Sequence, residues 1–263
     1  MIMNLGCSQK YREITLKRFI SKSIGLFNKG EWAGLGHYLV SETSNLLSDI
    51  EILQKNNIFT CPICNFSAKN FIHLSNSLEI SWNSACPNCN SRSRHRGLIF
   101  LYHEILKNKT KMRILHFAPE PTLEKEIRKY KQHKYFTTDY NIKRVDFPGE
   151  DIQKLNFDDS EFDLILVNHV LEHVLDDKKA LSEISRVLNK NGVAVITIPG
   201  DWRRRHTKIL PNLNYNGHYR NYGLDVIDIM KDCFSKVVKS NLFQFHGEKN
   251  AIKSMEIAFI CLK

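Results

Sequence analysis

Four groups of residues in this 263-residue chain have types and spacings that can do chemistry. Cys61-Pro-Ile-Cys64 and Cys86-Pro-Asn-Cys89 are two C-x2-C pairs with 21 residues between them, close to the spacing of a four-thiolate zinc ribbon. Two thiolates so spaced fit one tight turn, and two facing turns complete a tetrahedron. Four thiolates leave no open position, so such a Zn2+ is structural rather than catalytic. A redox dithiol pair and an accidental spacing are the competing readings. Further on, Asn168, His169, Glu172 and His173 follow an apolar run. His169 and His173 are four apart and can share one helix face. The order is not His-Glu-x-x-His, and no third ligand is evident for a histidine-pair metal site. His218 with Tyr219, Arg220 and Tyr222 is an acid/base and anion-binding constellation, with Trp202 and Arg203 to Arg205 upstream in the same unpatterned segment. Arg92, Arg94, His95 and Arg96 crowd the first turn of a predicted helix that Ser91 or Ser93 can cap. Cations are disfavoured there. Either a bound anion or an internal carboxylate such as Glu120 or Glu124 relieves that cost, and Arg94 and Arg96 are candidate substrate contacts.

The elements that must position these groups read as strand alternating with helix. Lys111 to Ala118 is a short apolar run ending in Pro119-Glu120-Pro121, with a helical pattern from Thr122 to Tyr130. An extended run, Lys134 to Asp139, ends on a carboxylate about 20 residues after the first loop, where an acid of a dinucleotide-type fold reaches ribose hydroxyls. Then come a segment ending at Asp151-Ile152, a strand from Phe162 to Val167, a helix from Ala180 to Leu188, an Asn191-Gly192 turn and a strand from Val193 to Ile198. A helix over Leu224 to Cys233 and two extended runs, Val237 to Phe245 and Met255 to Leu262, close the pattern. The expected fold is α/β: a Rossmann-like seven-stranded sheet with helices on both faces, its ligand at the carboxyl edge. Ahead of it stand an N-terminal helical region (1–57) and a zinc ribbon with connecting helix (58–108), the catalytic domain spanning 109–263. Residues 8 to 28, with Ile14, Phe19, Ile20, Leu26 and Phe27, form an irregular amphipathic helix that packs on the catalytic domain or a partner subunit, or lies on a membrane surface. Leu39 to Leu53 is a second helix with Val40, Leu46, Leu47, Ile50 and Leu53 inward.

Composition narrows the classes. Hydrophobic residues make up 42% and charged residues 25%, as in ordinary globular proteins. The N-terminus has no signal-peptide pattern and no run approaches membrane-span length. Seven cysteines, four of them in paired spacing, suit a reducing compartment better than a disulfide framework. The expected location is the cytoplasm. Net charge is +10; residues 1–110 hold 13 Lys and Arg against 7 Asp and Glu, and residues 111–263 hold 25 against 21. A basic front module suits a nucleic-acid or phosphate-bearing partner, and it equally suits solvated helix faces.

The stretch Asn156 to Val174, followed by Ala180 to Pro199 with Arg186-Val-Leu-Asn-Lys-Asn-Gly192, resembles the class I S-adenosylmethionine-dependent methyltransferases, in their small-molecule branch. The likeness covers residues 111 to 200 well and the rest of the C-terminal half loosely. The whole chain is similar to a subgroup with a His-Phe-Ala-Pro-Glu loop and a Cys-rich amino-terminal module. It implies S-adenosylmethionine as cofactor, with Asp139 on the ribose, Asp151 and Ile152 on the adenine, and the loop of His116, Phe117 and Ala118 with Glu120 and Asn168 near the methionine end. Glu120 either accepts the cofactor's ammonium or caps the helix. His116 stands where the family usually has an acid. The first loop of the family is usually glycine-rich, so here Ala118 must do what glycine does elsewhere. His169 of the motif lines the active site, and His169 or His218 is the implied base, with Arg220 holding an anionic acceptor and Trp202, Tyr219 and Tyr222 lining its pocket. The resulting expectation is O-methylation of a small molecule or a sugar or glycan precursor. The alternatives are an RNA methyltransferase gripping substrate with its ribbon, and a non-catalytic zinc-ribbon adaptor. No Asn-Pro-Pro-Tyr or Asp-Pro-Pro-Tyr follows the fourth strand, which argues against amine methylation of nucleic acid.

Overall fold

The run Phe162-Asp-Leu-Ile-Leu-Val-Asn168 is too continuously apolar for a strand with one wet face, so it requires cover on both sides. In the computed structural model, which describes residues 19–51, 59–75, 80–210 and 217–263, it is the central strand of a seven-stranded sheet. The chain folds as two compact units, one ending at Ser93 and the other spanning Arg94–Lys263.

Among its described residues the first unit holds two helices, α1 (residues 19–28) and α2 (Trp32–Glu51). Two small antiparallel pairs follow: β1 (Phe59–Thr60) with β2 (Ser67–Ala68), and β3 (Ile72–Ser75) with β4 (Ile80–Ala85). Helix α2 docks on β3 through a side-chain amide that imitates a strand. Asn45 donates to the His73 carbonyl at 3.0 Å and accepts from the His73 N–H at 2.6 Å. Val40, expected inward, is exposed, as are Ile20 and Phe27. Ile14 and Leu53 lie outside the described residues. The apolar spacing is right for a helix, and its contacts to β3 include Ser41 and Asn45.

The second unit opens with α3 (Ser93–Leu106), which the sequence had grouped with the ribbon. Next come β5 (Arg113–Phe117), α4 (Pro121–Ile127), β6 (Lys134–Asp139), β7 (Phe147–Pro148), β8 (Phe162–Asn168), a 3-10 turn at Leu171–His173, α5 (Asp177–Val187) and β9 (Leu188–Thr197). After a hairpin of β10 (Lys208–Ile209) and β11 (Arg220–Asn221) follow α6 (Val226–Lys231), β12 (Lys236–Asn241), a single turn α7 (Gly247–Asn250) and β13 (Ile257–Leu262). The sheet order is β12-β13-β9-β8-β5-β6-β7, with β13 antiparallel to both neighbours and the remaining pairs parallel. The seven strands are as expected. One local reading fails: Asn191-Gly192 makes no turn but lies inside β9, within the register shift against β8 that falls between Leu188 and Val193. A Cβ on Gly192 would sit 2.7 Å from the Leu188 side chain, so here glycine permits close packing in a strand rather than a reversal.

Between β5 and β8 the chain's direction of travel across the sheet reverses, which opens a crevice at their carboxyl ends. Helix α5 shows how the sheet is covered. Its buried Ala180, Leu181, Ile184 and Val187 repeat at helical spacing, and Asp176 caps it by accepting from the Lys179 N–H at 2.9 Å. Helix α3 buries Leu98, Ile99, Tyr102 and Leu106. Gly97 lets it approach Leu242, whose Cβ would be 2.6 Å from an added methyl.

Arg96 is fully buried, its guanidinium donating to the carbonyls of Asn250, at 2.7 Å, and Ala251. Those bonds correct its reading as a substrate contact, because the side chain closes a helix end instead of facing a crevice. Arg96→Met should leave both carbonyls unsatisfied and destabilise the full chain by roughly 2–4 kcal/mol, read as a lower denaturation midpoint in urea.

Candidate active site

At the carboxyl edge of the switch point, two strands end on non-glycine residues in the left-handed region. Ala118, after β5, has φ +47°, and His169, after β8, has φ +52°. Each first donates its N–H across to the neighbouring strand: Ala118 to Thr138 O and His169 to Thr197 O, both at 2.8 Å. The ladder thus runs one residue past the last strand residue before the chain reverses. Ala118 adopts the backbone that a glycine would provide, at a cost of about 1–2 kcal/mol.

Between the two turns lies a buried polar network. Asn168 is its hub: Oδ1 accepts from Tyr102 OH at 3.0 Å and Thr197 Oγ1 at 3.3 Å, while Nδ2 donates to Glu120 Oε2 at 3.1 Å and lies 3.2 Å from His116 Nε2. His116, wholly buried, places its other nitrogen 2.7 Å from Tyr135 OH. Glu120 is ringed by two imidazoles and a guanidinium, with His95 and His116 each at 3.4 Å and Arg94 at 3.8 Å. Burial opposes its ionisation, yet hydrogen bonding and charge from His116 and His95 hold the carboxyl well below its usual range. Burial, reinforced by the Glu120 charge, pushes the Tyr102 phenol up. Of the sequence alternatives, the internal carboxylate for Arg94 is the one the geometry supplies. Glu120, placed at the head of α4, makes no side-chain cap bond there. Tyr102 and Tyr135 went unnoticed in the sequence, since each sits in an apolar run and reads as core.

Asp139 ends β6 and shapes its own turn, with Oδ1 accepting from the N–H groups of Asn141 and Ile142, both at 2.7 Å. Among the described residues its Oδ2 makes no hydrogen bond, which fits it to accept from a ligand hydroxyl. Asp151 lies three residues past β7 and binds Gln153 through Oδ1, while Ile152 is buried in the core beside it. Phe117 is buried in the same core.

Beyond β8, His169 Nδ1 is 3.1 Å from Glu172 Oε1. Glu172 is fully buried, and neither of its carboxylate oxygens has a hydrogen-bond partner among the described residues. The segment after Pro199, read as unpatterned, instead pairs β10 with β11, and residues 217–219 bind this turn: Tyr219 N–H donates to Glu172 O at 2.8 Å, and Gly217 O lies 3.1 Å from His173 Nδ1. His173 and His218 stack edge to face, centroids 4.8 Å apart. Burial pushes the His218 imidazole below its usual value, with Glu172 pulling the other way. Arg220 is buried and donates to Leu171 O at 3.2 Å and Leu175 O at 2.6 Å, beside Asp177. Tyr222, also buried, donates to Asp177 at 2.9 Å. These bonds correct two readings: Arg220 and Tyr222 brace the turn that carries Glu172 and His173 and do not face an acceptor. Trp202 donates to Met255 O and packs edge to face on Phe259, so it too serves packing. Of the arginines upstream in that segment, Arg204 is occupied by the carbonyls of His206, Asn221 and Tyr222.

In the first unit the four cysteine sulfurs lie within 4.8 Å of one another, Cys61 to Cys89 and Cys64 to Cys86 both at 3.6 Å. Each knuckle closes on an asparagine in the left-handed region, Asn65 (φ 58°) and Asn90 (φ 56°), whose N–H returns to the first cysteine's carbonyl at 2.9 Å. Sulfurs bound at about 2.3 Å in a tetrahedron stand about 3.8 Å apart, so the cluster fits Zn2+. Cys261 is buried in the sheet's core, Cys233 packs against it partly buried, and Cys7 lies outside the described residues. Among the described residues no helix is long and apolar enough to cross a membrane.

Residues 102–196 match the sequence profile described as "Methyltransferase domain". No curated protein matches the chain in sequence. Among solved structures it is similar to a protein of Pyrococcus horikoshii OT3 (17% identity, 66% of this chain and 92% of that one, TM-score 0.47). It is also similar to the Burkholderia thailandensis 1,6-didemethyltoxoflavin-N1-methyltransferase with bound 1,6-didemethyltoxoflavin and S-adenosylhomocysteine (13%, 64% and 76%, 0.46). A third is Haemonchus contortus phosphoethanolamine N-methyltransferase 2 in complex with S-adenosyl-L-methionine (18%, 58% and 40%, 0.45).

Two outcomes follow from the site. Ala118→Gly should raise stability by about 1 kcal/mol or leave it unchanged, because strain relief offsets added unfolded-chain entropy; calorimetric melting checks it. Co2+ added to metal-stripped protein should give thiolate charge-transfer absorption, and Cys86→Ser should abolish that band.

Proposed function

We propose, on the premise that residues 102–196 are a methyltransferase domain, that this chain moves a methyl group from S-adenosylmethionine to a hydroxyl of a small molecule or of a sugar or glycan precursor. When bound, S-adenosylmethionine supplies a methyl carbon that an attacking oxygen takes as the carbon–sulfur bond breaks and its electron pair passes to sulfur. The uncommitted oxygen of Asp139 receives the ribose hydroxyls, Asp151 and Ile152 flank the adenine, and the 116–118 backbone with Asn168 borders the methionine end. Cys61, Cys64, Cys86 and Cys89 hold a structural Zn2+ that stabilises the first unit.

The observation that carries the reading is the His169–Glu172 pair at the crevice rim. A neutral hydroxyl is a poor nucleophile unless its proton leaves. With Nδ1 turned toward the Glu172 carboxylate, His169 presents Nε2 to accept that proton, a role worth roughly 10² to 10⁴-fold. Holding acceptor and methyl in line supplies more, about 7–11 kcal/mol. A small acceptor suits this site better than a polyanion, since Arg220 is turned to a protein carbonyl and Arg94 to Glu120.

The test separates donor from acceptor chemistry. Asp139→Ala should weaken S-adenosylmethionine binding at least about tenfold in calorimetry, about 1.4 kcal/mol. His169→Gln should bind the donor normally and lose about 10² to 10⁴ in kcat in a labelled-methyl screen of small hydroxyl compounds. Unchanged donor affinity in the first variant, or unchanged turnover in the second, would overturn the respective assignment.

A further inference from the structure

Below the His169 rim lies a cluster that neither the fold nor the thiolate centre needs. One ligand-type atom each from Glu172, His173 and His218 lies within 4.8 Å of the other two. Two ligands at about 2.1 Å from one ion stand at most about 4.2 Å apart, so the set closes on a cation with small side-chain shifts. We infer that Glu172, His173 and His218 form a second metal site, for a first-row divalent cation with open positions that can take the acceptor's oxygen. The acceptor role rests on the methyl-transfer reading above; the binding of the metal does not.

Three observations support the site independently. Glu172 is wholly buried with neither carboxylate oxygen hydrogen-bonded within the described residues, and the His169 imidazole stands 3.1 Å from Oε1. A buried carboxylate without donors is costly, and a cation between it and two imidazoles removes that cost. His173 places Nδ1 against Gly217 O at 3.1 Å. With its proton fixed there, the Nε2 lone pair is left to bind a metal, the backing that ligating histidines usually have. Finally, the hairpin exists to deliver His218. Its own backbone is pinned to the turn by Tyr219 N–H on Glu172 O, and Arg220 clamps the carbonyls of Leu171 and Leu175 on either side. Sequence spacing hid this third ligand, because it arrives from the far end of the segment after β9.

Two imidazoles and one carboxylate suit Zn2+, Fe2+ or Co2+ over Mg2+ or Ca2+, whose preferred ligands are oxygens. Three protein ligands leave the remaining coordination positions open, as in metal sites that act on substrates. An acceptor hydroxyl bound there would be acidified and fixed beside His169, which divides the work between a cation that lowers the proton's affinity and a base that removes it.

The test titrates metal-stripped full-length protein with Co2+, without donor or acceptor. Two equivalents should bind, one with thiolate charge-transfer absorption and one with only weak ligand-field bands. Cys86→Ser should keep the second and lose the first, whereas Glu172→Gln and His218→Ala should keep the first and weaken the second more than about tenfold. A single equivalent in the wild-type protein, carrying the thiolate band alone, overturns the site whatever the variants do. Retention of the second equivalent in both Glu172→Gln and His218→Ala overturns the ligand assignment. Calorimetry with S-adenosylmethionine on the same stripped protein reads the donor site separately, so either conclusion can fail alone.

Discussion

The crevice between β5 and β8 exists because their connections leave the sheet in opposite directions, and everything placed there must be satisfied from within the same edge. Asn168 meets that constraint. As the last residue of β8 it takes a phenol from α3 and a hydroxyl from β9 on its oxygen, and gives its amide protons toward Glu120 beyond β5. One short side chain thereby ties α3, β8, β9 and the β5 loop together. Replacing it with an apolar residue of similar size would orphan groups on three elements at once, which is why the network counts for more than any single bond in it.

Two buried carboxylates on this edge are treated in opposite ways. Glu120 is surrounded by Arg94, His95, His116 and Asn168, and its charge is spent inside the protein. Glu172 lies deeper, has the imidazoles of His169, His173 and His218 around it, and keeps both oxygens without a hydrogen-bond partner in the described residues. The first arrangement stabilises a fold. The second keeps a negative charge in a place where only a cation or a proton can answer it. Along one sheet edge, charge thus serves structure at Glu120 and stays open to chemistry at Glu172.

Much of this was legible in the sequence wherever the determining contacts are local. The thiolate knuckles, β6 from Lys134 to Asp139 and the α5 stripe follow from short-range spacing, and they fall where the residues put them. What could not be read was the direction in which a charged side chain turns. Arg96, Arg220 and Arg204 look like ligands for a substrate anion, yet each spends its donors on backbone carbonyls brought close by tertiary folding. Asn191-Gly192 has the composition of a turn and lies within a strand, in the stretch between Leu188 and Val193 where the register against β8 shifts. His218 belongs beside His173 only once the hairpin has folded back, a meeting that no periodicity encodes.

Ala118 carries a last implication. A glycine at the head of the first loop would be free to sample both hands of the backbone, and the loop would have to be ordered whenever something bound above it. With a methyl group at that position, held at φ +47°, most of those alternatives are sterically closed. The floor of the crevice is therefore moulded before any guest arrives, and the entropy of shaping it is settled during folding instead of at each encounter.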